Sequence, residues 1–241
     1  MPRRHMTPCA CHCAACRAAG HGNVCVVLRM GLLRLFHGKA DIVDLVLRHY
    51  YRGASGWDTA RLDAAICSIQ YGPGGDVIAA GDGDGRIHFV CAQTGEKILS
   101  TLTGHSDWVW SVSWAPDGKR IASGSSDKTV RLWEAATGKE LSQLDVDAGK
   151  YGVISVSFSP SGDMVAAGCY NGKIYFVDPT AGEIKSSLTG HSDCVNTVSW
   201  SPDGTRLASG SDDKTVKVWD PATGEQLCQL SGHLTTNVLA S

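Results

Sequence analysis

From about Leu62 onward, short runs in which apolar and polar residues alternate are separated by polar turn clusters such as PDG, SGS, DDK and ATG. Alternation with period two is the pattern of a half-buried strand, and Gly, Asp, Asn and Pro clusters are the chemistry of tight turns. The proline after the first apolar run recurs as Pro73, Pro116, Pro160 and Pro202, at spacings of 43, 44 and 42 residues. Four units follow, each offering the same strands. Strand a covers Ala64 to Tyr71, Trp108 to Trp114, Val153 to Phe158 and Cys194 to Trp200. Strand b covers Val77 to Ala80, Arg120 to Ser123, Met164 to Ala167 and Arg206 to Ser209. Strand c covers Arg86 to Val90, Val130 to Trp133, Lys173 to Val177 and Val216 to Trp219, and an outer strand d ends at Leu102, Leu144, Leu188 and Leu230. Each unit reads as a four-stranded antiparallel meander. Inner runs such as IYFV (Ile174 to Val177) are apolar on both faces, so one meander cannot stand alone. Stacking the meanders side by side around an axis covers each sheet with the next.

Two of the units are near copies. The stretch from Gly104 to Leu144 returns from Gly190 to Leu230 with about two-thirds of its positions identical. Each copy opens on Gly-His (Gly104-His105, Gly190-His191) and, about 28 residues on, reaches Trp-Glu or Trp-Asp (Trp133-Glu134, Trp219-Asp220). In this the chain resembles the WD-repeat family, over roughly Leu62 to Leu230. The resemblance implies an all-β fold: a partial β-propeller of four four-stranded antiparallel blades in an arc, preceded by a poorly structured or partly helical N-terminal extension. It also implies that the chain scaffolds other proteins.

The same resemblance implies a hydrogen-bonded structural lock made of His105, Ser123, Asp127 and Trp133 in the second unit, and of His191, Ser209, Asp213 and Trp219 in the fourth. The residue types suit it: Asp accepts from His, Ser bridges, and the indole N–H needs an acceptor. His, Ser and Asp are also the parts of a nucleophilic triad, but the set occurs twice, each time with Trp, and neither Ser lies in a Gly-x-Ser-x-Gly elbow. No catalytic residue is assigned. The first and third units depart from the pattern with Ala80, Asp84 and Val90, and with Ala167, Asn171 and Val177. Packing of Val90 and Val177 is expected to replace the lock there. Strong and weak units alternate, and His105 and His191 stand 86 residues apart, as duplication of a two-blade unit would leave them.

By the same resemblance, a partner would meet the residues at the start of strand a and just before the b–c aspartate. These are Trp108, Trp110 and Ser126 in the second unit and Cys194, Asn196 and Asp212 in the fourth, with Ile154 and Tyr170, and Cys67 and Gly83, from the weaker units. Trp108 and Trp110 carry most weight, because the sister unit has Cys194 and Asn196 there and the repeat does not explain them. Trp and Tyr dominate protein-binding hot spots.

Charge and composition narrow the function. A formal net charge of −2 over 241 residues gives no basic footprint for nucleic acid. No run of eighteen apolar residues supports a membrane span. Cys67, Cys91, Cys169, Cys194 and Cys228 are scattered without regular spacing, which suits free thiols in a reducing compartment and an intracellular, cytoplasmic or nuclear protein. Before Asp41 the chain has no acidic residue, and its Arg-containing start has transit-peptide character; an unstructured extension is the preferred reading. Cys9, Cys11, Cys13 and Cys16 lack the paired C-x-x-C spacing of structural zinc sites, so no metal or cofactor is assigned. The GDGDG string at Gly81 to Gly85 is read as a b–c turn needing positive φ, not as a phosphate or calcium loop.

The expected organisation is an extension over 1–61 with a short helix at 41–51, blades over 62–103, 104–146, 147–189 and 190–231, and a stub at 232–241 in which His233 opens a fifth repeat. Bare blade faces at the ends of an arc call for closure, by further sequence first and by a second copy or a partner next. The functional reading is a non-enzymatic protein-interaction scaffold. A propeller enzyme with a central site, or a fragment without independent function, are the alternatives.

Overall fold

A computed structural model describes residues 64–231 of the chain. The extension, the helix at 41–51, the cysteine-rich start and the stub opened by His233 lie outside the described residues. Within them the chain forms sixteen strands in four separate antiparallel sheets, each a simple meander. The first blade is β1 (Ile66–Tyr71), β2 (Val77–Asp82), β3 (Arg86–Cys91) and β4 (Leu102–Thr103). The second is β5 (Val109–Trp114), β6 (Arg120–Ser125), β7 (Thr129–Glu134) and β8 (Glu140–Asp145). The third is β9 (Val153–Phe158), β10 (Val165–Cys169), β11 (Ile174–Asp178) and β12 (Glu183–Leu188). The fourth is β13 (Val195–Trp200), β14 (Leu207–Ser211), β15 (Thr215–Trp219) and β16 (Gln226–Ser231). The strand order anticipated from the alternation is the order found, with the first blade's outer strand only two residues long.

Three apolar clusters hold the blades side by side. Phe89, Ile87 and Ala79 of the first blade meet Val109, Val112 and Trp114 of the second. Val130 and Leu132 meet Val153, Val156 and Phe158 at the next junction, and Ile174 and Phe176 meet Val195 and Val198 at the last. Strand b carries a glycine at each junction for a steric reason. A Cβ on Gly124 would stand 2.6 Å from Val153 Cγ1, closer than carbon atoms can approach, so only glycine admits the valine. The row is open: the sheets run from first to fourth without a ring being closed among the described residues.

Candidate functional site

Two rigid locks fix the loops of the second and fourth blades. In the second, Trp133 Nε1–H donates to Ser123 Oγ at 2.8 Å, leaving the hydroxyl to donate to His105 Nε2 at 2.7 Å. His105 Nδ1–H then donates to Asp127 Oδ2 at 2.8 Å, and Thr129 Oγ1 donates to Asp127 Oδ1 at 2.7 Å. The fourth blade repeats the chain through Trp219, Ser209, His191 and Asp213 at 2.8, 2.7 and 2.7 Å. Every donor has an acceptor, as buried polar groups require. Burial by itself would raise the pKa of Asp127, but hydrogen bonds from His105, Thr129 and the Ser106 N–H outweigh it and hold the carboxyl well below its ordinary value. Asp213 is held low against burial in the same way by Thr215, His191 and the N–H groups of Thr215 and Ser192.

The other two blades use different polar ties. In the first, Asp82 Oδ2 accepts from His88 Nε2 at 2.7 Å, both side chains being buried, and Asp82 Oδ1 accepts the N–H groups of Asp84 and Arg86 at 2.9 and 2.8 Å. In the third, Lys173 Nζ donates to Asp147 Oδ2 at 2.6 Å, while Asn171 Nδ2 and the Tyr175 hydroxyl both donate to the Asp147 carbonyl. Packing alone therefore does not replace the lock. Val177 is fully buried, but Val90 is only half-buried and the His88–Asp82 pair does the holding beside it. His88 lies on strand c, away from the Gly-His position, so comparison with the strong repeats does not reveal it.

The turn at GDGDG divides its glycines by role. Only Gly85 takes a positive φ, of 80°, and a Cβ there would lie 2.4 Å from the carbonyl oxygen of His105 in the next blade. The second and fourth blades place Lys128 and Lys214 at the same turn position, each at φ 68°.

At one edge of the row, each b–c turn is tied to the start of its own strand a. Backbone N–H groups of Gly83, Ser126, Tyr170 and Asp212 donate to the carbonyls of Ala65, Trp108, Gly152 and Cys194, at 2.9 to 3.0 Å. This edge carries two aromatic pairs, one on the second blade and one on the third. Trp108 and Trp110 stack with centroids 5.1 Å apart, and Trp110 Nε1–H donates to Ser126 Oγ at 2.6 Å. Trp108 also lies against Gly83 of the first blade and remains 39% exposed. Tyr151 and Tyr170 meet edge-to-face at 4.7 Å, with Lys150 Nζ 4.9 Å above the Tyr151 ring. Gly152, next to Tyr151, sits directly against Ser125 and Ser126, so the tyrosine loop crosses the turn that receives Trp110.

Of the residues expected on this rim, Ile154 and Cys194 are 2% and 1% exposed. Both are corrected from rim to core, because the fold covers these side chains almost completely, and Cys194 Sγ turns to Asn196 Oδ1 at 3.4 Å. Asn196 Nδ2 donates to Asp212 Oδ1 at 2.6 Å, a polar counterpart of the Trp110–Ser126 pair. Tyr151 was missed. It sits in the loop before strand a, outside the repeat positions compared, and its signal would have been an aromatic residue where the sister units carry Asp107 and Asp193.

The family model for "WD domain, G-beta repeat" matches at residues 96–134, 139–178 and 182–220. The chain belongs to the WD-repeat family. Similar proteins include Periodic tryptophan protein 2 of Arabidopsis thaliana, 30% identical over 126 residues, which are 52% of this chain and 14% of that protein. The homolog of Schizosaccharomyces pombe is 29% identical over 137 residues, 56% of this chain and 16% of the relative. That of Mus musculus is 29% identical over 148 residues, 60% and 16%. The match thus spans about a sixth or less of the length of these relatives. The described residues of this chain are all-β and blade-built, and no helix among them is long and apolar enough to cross a membrane.

Proposed function

We propose that this chain is a non-catalytic protein-interaction scaffold whose partner docks on the edge formed by Trp108, Trp110, Ser126, Tyr151 and Tyr170. The observation that carries the reading is the two aromatic pairs, Trp108 with Trp110 and Tyr151 with Tyr170, on adjacent blades, held by backbone ties and, in the second blade, by the lock. Rigid aromatic side chains lose little conformational entropy on binding and bury much area, so they anchor a partner segment well. Membership in a family of interaction scaffolds and the partial likeness to Periodic tryptophan protein 2 support it. Asn196 and Asp212 extend the same edge with polar groups suited to its rim. The buried His–Asp pairs belong to three different blades and each is satisfied within its own blade, which favours structural roles over catalysis at a central site. The described cysteines are free thiols, in keeping with a reducing compartment, and we place the protein inside the cell.

Replacing Trp108 and Trp110 together by Ala is expected to abolish partner capture while leaving the circular-dichroism melt within a few degrees of wild type. Quantitative affinity capture from cell extract measures it. An unchanged set of captured partners overturns the reading.

A further inference from the structure

The internal junctions share two devices. Strand a of one blade turns oxygen acceptors toward the next, and the next blade's strand a donates N–H groups to them. Val112 N–H reaches Ser68 Oγ at 3.1 Å, Val156 and Phe158 reach Ser111 and Ser113 at 3.0 and 3.1 Å, and Val198 reaches Ser155 at 3.2 Å. The strand-b glycines Gly81, Gly124 and Gly168 each seat a valine of the next blade.

On the fourth blade the same devices face outward. A Cβ on Gly210 would meet only Thr197 of its own sheet. Thr197 and Ser199 occupy the positions of Ser111 and Ser113, and Val216 and Val218 those of Val130 and Leu132. Leu230 is 62% exposed where its counterpart Leu144 packs against the apolar cluster of the second-to-third junction. The first blade presents the other half of the junction. Ile66, Ile69 and Tyr71 hold the positions of Val153, Val156 and Phe158, and Ile78, Ala80 and Val90 those of Val165, Ala167 and Val177. Ile66 and Ile69 are half-buried and Tyr71 is 45% exposed, although their counterparts in the third blade are buried.

Because strong and weak blades alternate, a fourth-to-first contact would repeat the second-to-third junction already formed within the chain. We propose that two copies of this chain close head to tail into an eight-bladed ring, each fourth blade covering the other copy's first. Both halves of the junction chemistry are present on one chain, so a second copy supplies each end with what it lacks. Two identical junctions close a two-fold ring, and eight blades lies within the range propellers adopt. The ionisable departure at the first blade's end, Asp82 and His88 in place of Cys169 and Tyr175, brings no unpaired charge to the contact, since the two side chains already bond each other at 2.7 Å. The inference rests on the blade ends and is independent of the aromatic edge.

Light scattering on the full chain at micromolar concentration is expected to give twice the 25.5 kDa mass of one copy. Val218→Asp and Ile69→Lys each place a charge on one end and are expected to give monomers. Mixing them in equal amounts should restore the dimer mass, because the mixed ring has one unaltered junction and one in which the new charges face each other. Circular dichroism reports whether each variant keeps its sheet content. Gly210→Leu, which fills the valine seat of the fourth blade from a side chain facing open space, replaces Val218→Asp if that variant loses it, and Ile66→Lys on the first blade replaces Ile69→Lys. A monomeric wild type, a mass that grows without limit as in an open fibre, a dimer that survives both substitutions, or a mixture that stays monomeric each overturns the proposal.

Discussion

At Ser123 one hydroxyl serves two neighbours, accepting from the Trp133 indole and donating to His105. Its removal leaves a buried indole N–H and an imidazole nitrogen without partners, a penalty of about 1–3 kcal/mol per group. Ser123→Ala is therefore expected to lower stability by about 2–4 kcal/mol in chemical denaturation. Ala80 and Ala167 occupy this position in the first and third blades without harm, because no Trp or His of the lock approaches them. The same lock sets an acid limit. Asp127 and Asp213 have folded-state pKa values below their ordinary 3.8, so their contribution to stability is present in full above that pH and is lost as pH falls through the folded values. Thermal melts should thus be level through the mildly acidic range and drop once pH goes below about 4. In Asp127→Asn this drop should shrink, since one of the two carboxylates no longer titrates.

Among the elements, strand b is the one whose sequence is set by its neighbour and not by its own pairing. Gly124 is destabilising for an isolated strand, yet any side chain there would collide with Val153 and Val156 of the third blade. Gly124→Ala is expected to cost about 1–3 kcal/mol through overpacking, read as a lowered melting temperature. Gly210→Ala, the same substitution one repeat later, should leave the melt of a single copy almost unchanged, its Cβ meeting only Thr197 at 3.2 Å. The contrast tests the stacking of blades directly, because both changes have the same effect on strand propensity.

For the whole molecule, the apolar faces at the two ends of the described row of blades govern behaviour. Val216, Val218 and Leu230 at one end and Ile66, Ile69 and Tyr71 at the other form apolar faces of the kind that drive association. If a second copy covers them, folding and association are linked by mass action, and the melting temperature rises with protein concentration. A melt independent of concentration over two decades would show that no second copy covers them. The aromatic edge lies at the starts of strand a and the b–c turns of the second and third blades, so partner capture and end closure can be altered separately.

Much of this was legible in the chain. The four meanders, their order and the residues of both locks follow from period-two alternation, from proline spacing and from the resemblance carried by Gly-His and Trp-Asp, because strands and tight turns are local in sequence and the repeat multiplies a weak signal. What the alternation could not say is which side chains a neighbouring blade would cover. Ile154 and Cys194 stand at positions that look like a rim and are core, and Tyr151 stands in a loop and pairs with Tyr170. The His88–Asp82 pair forms between strands b and c where no repeat pattern points. Burial and inter-blade contact depend on how separate sheets pack, a relation between residues about 44 positions apart, as from Ser68 to Val112 and from Gln70 to Trp114. The sequence by itself determined the blades; the tertiary structure decided which of their surfaces meet each other and which remain to meet something else.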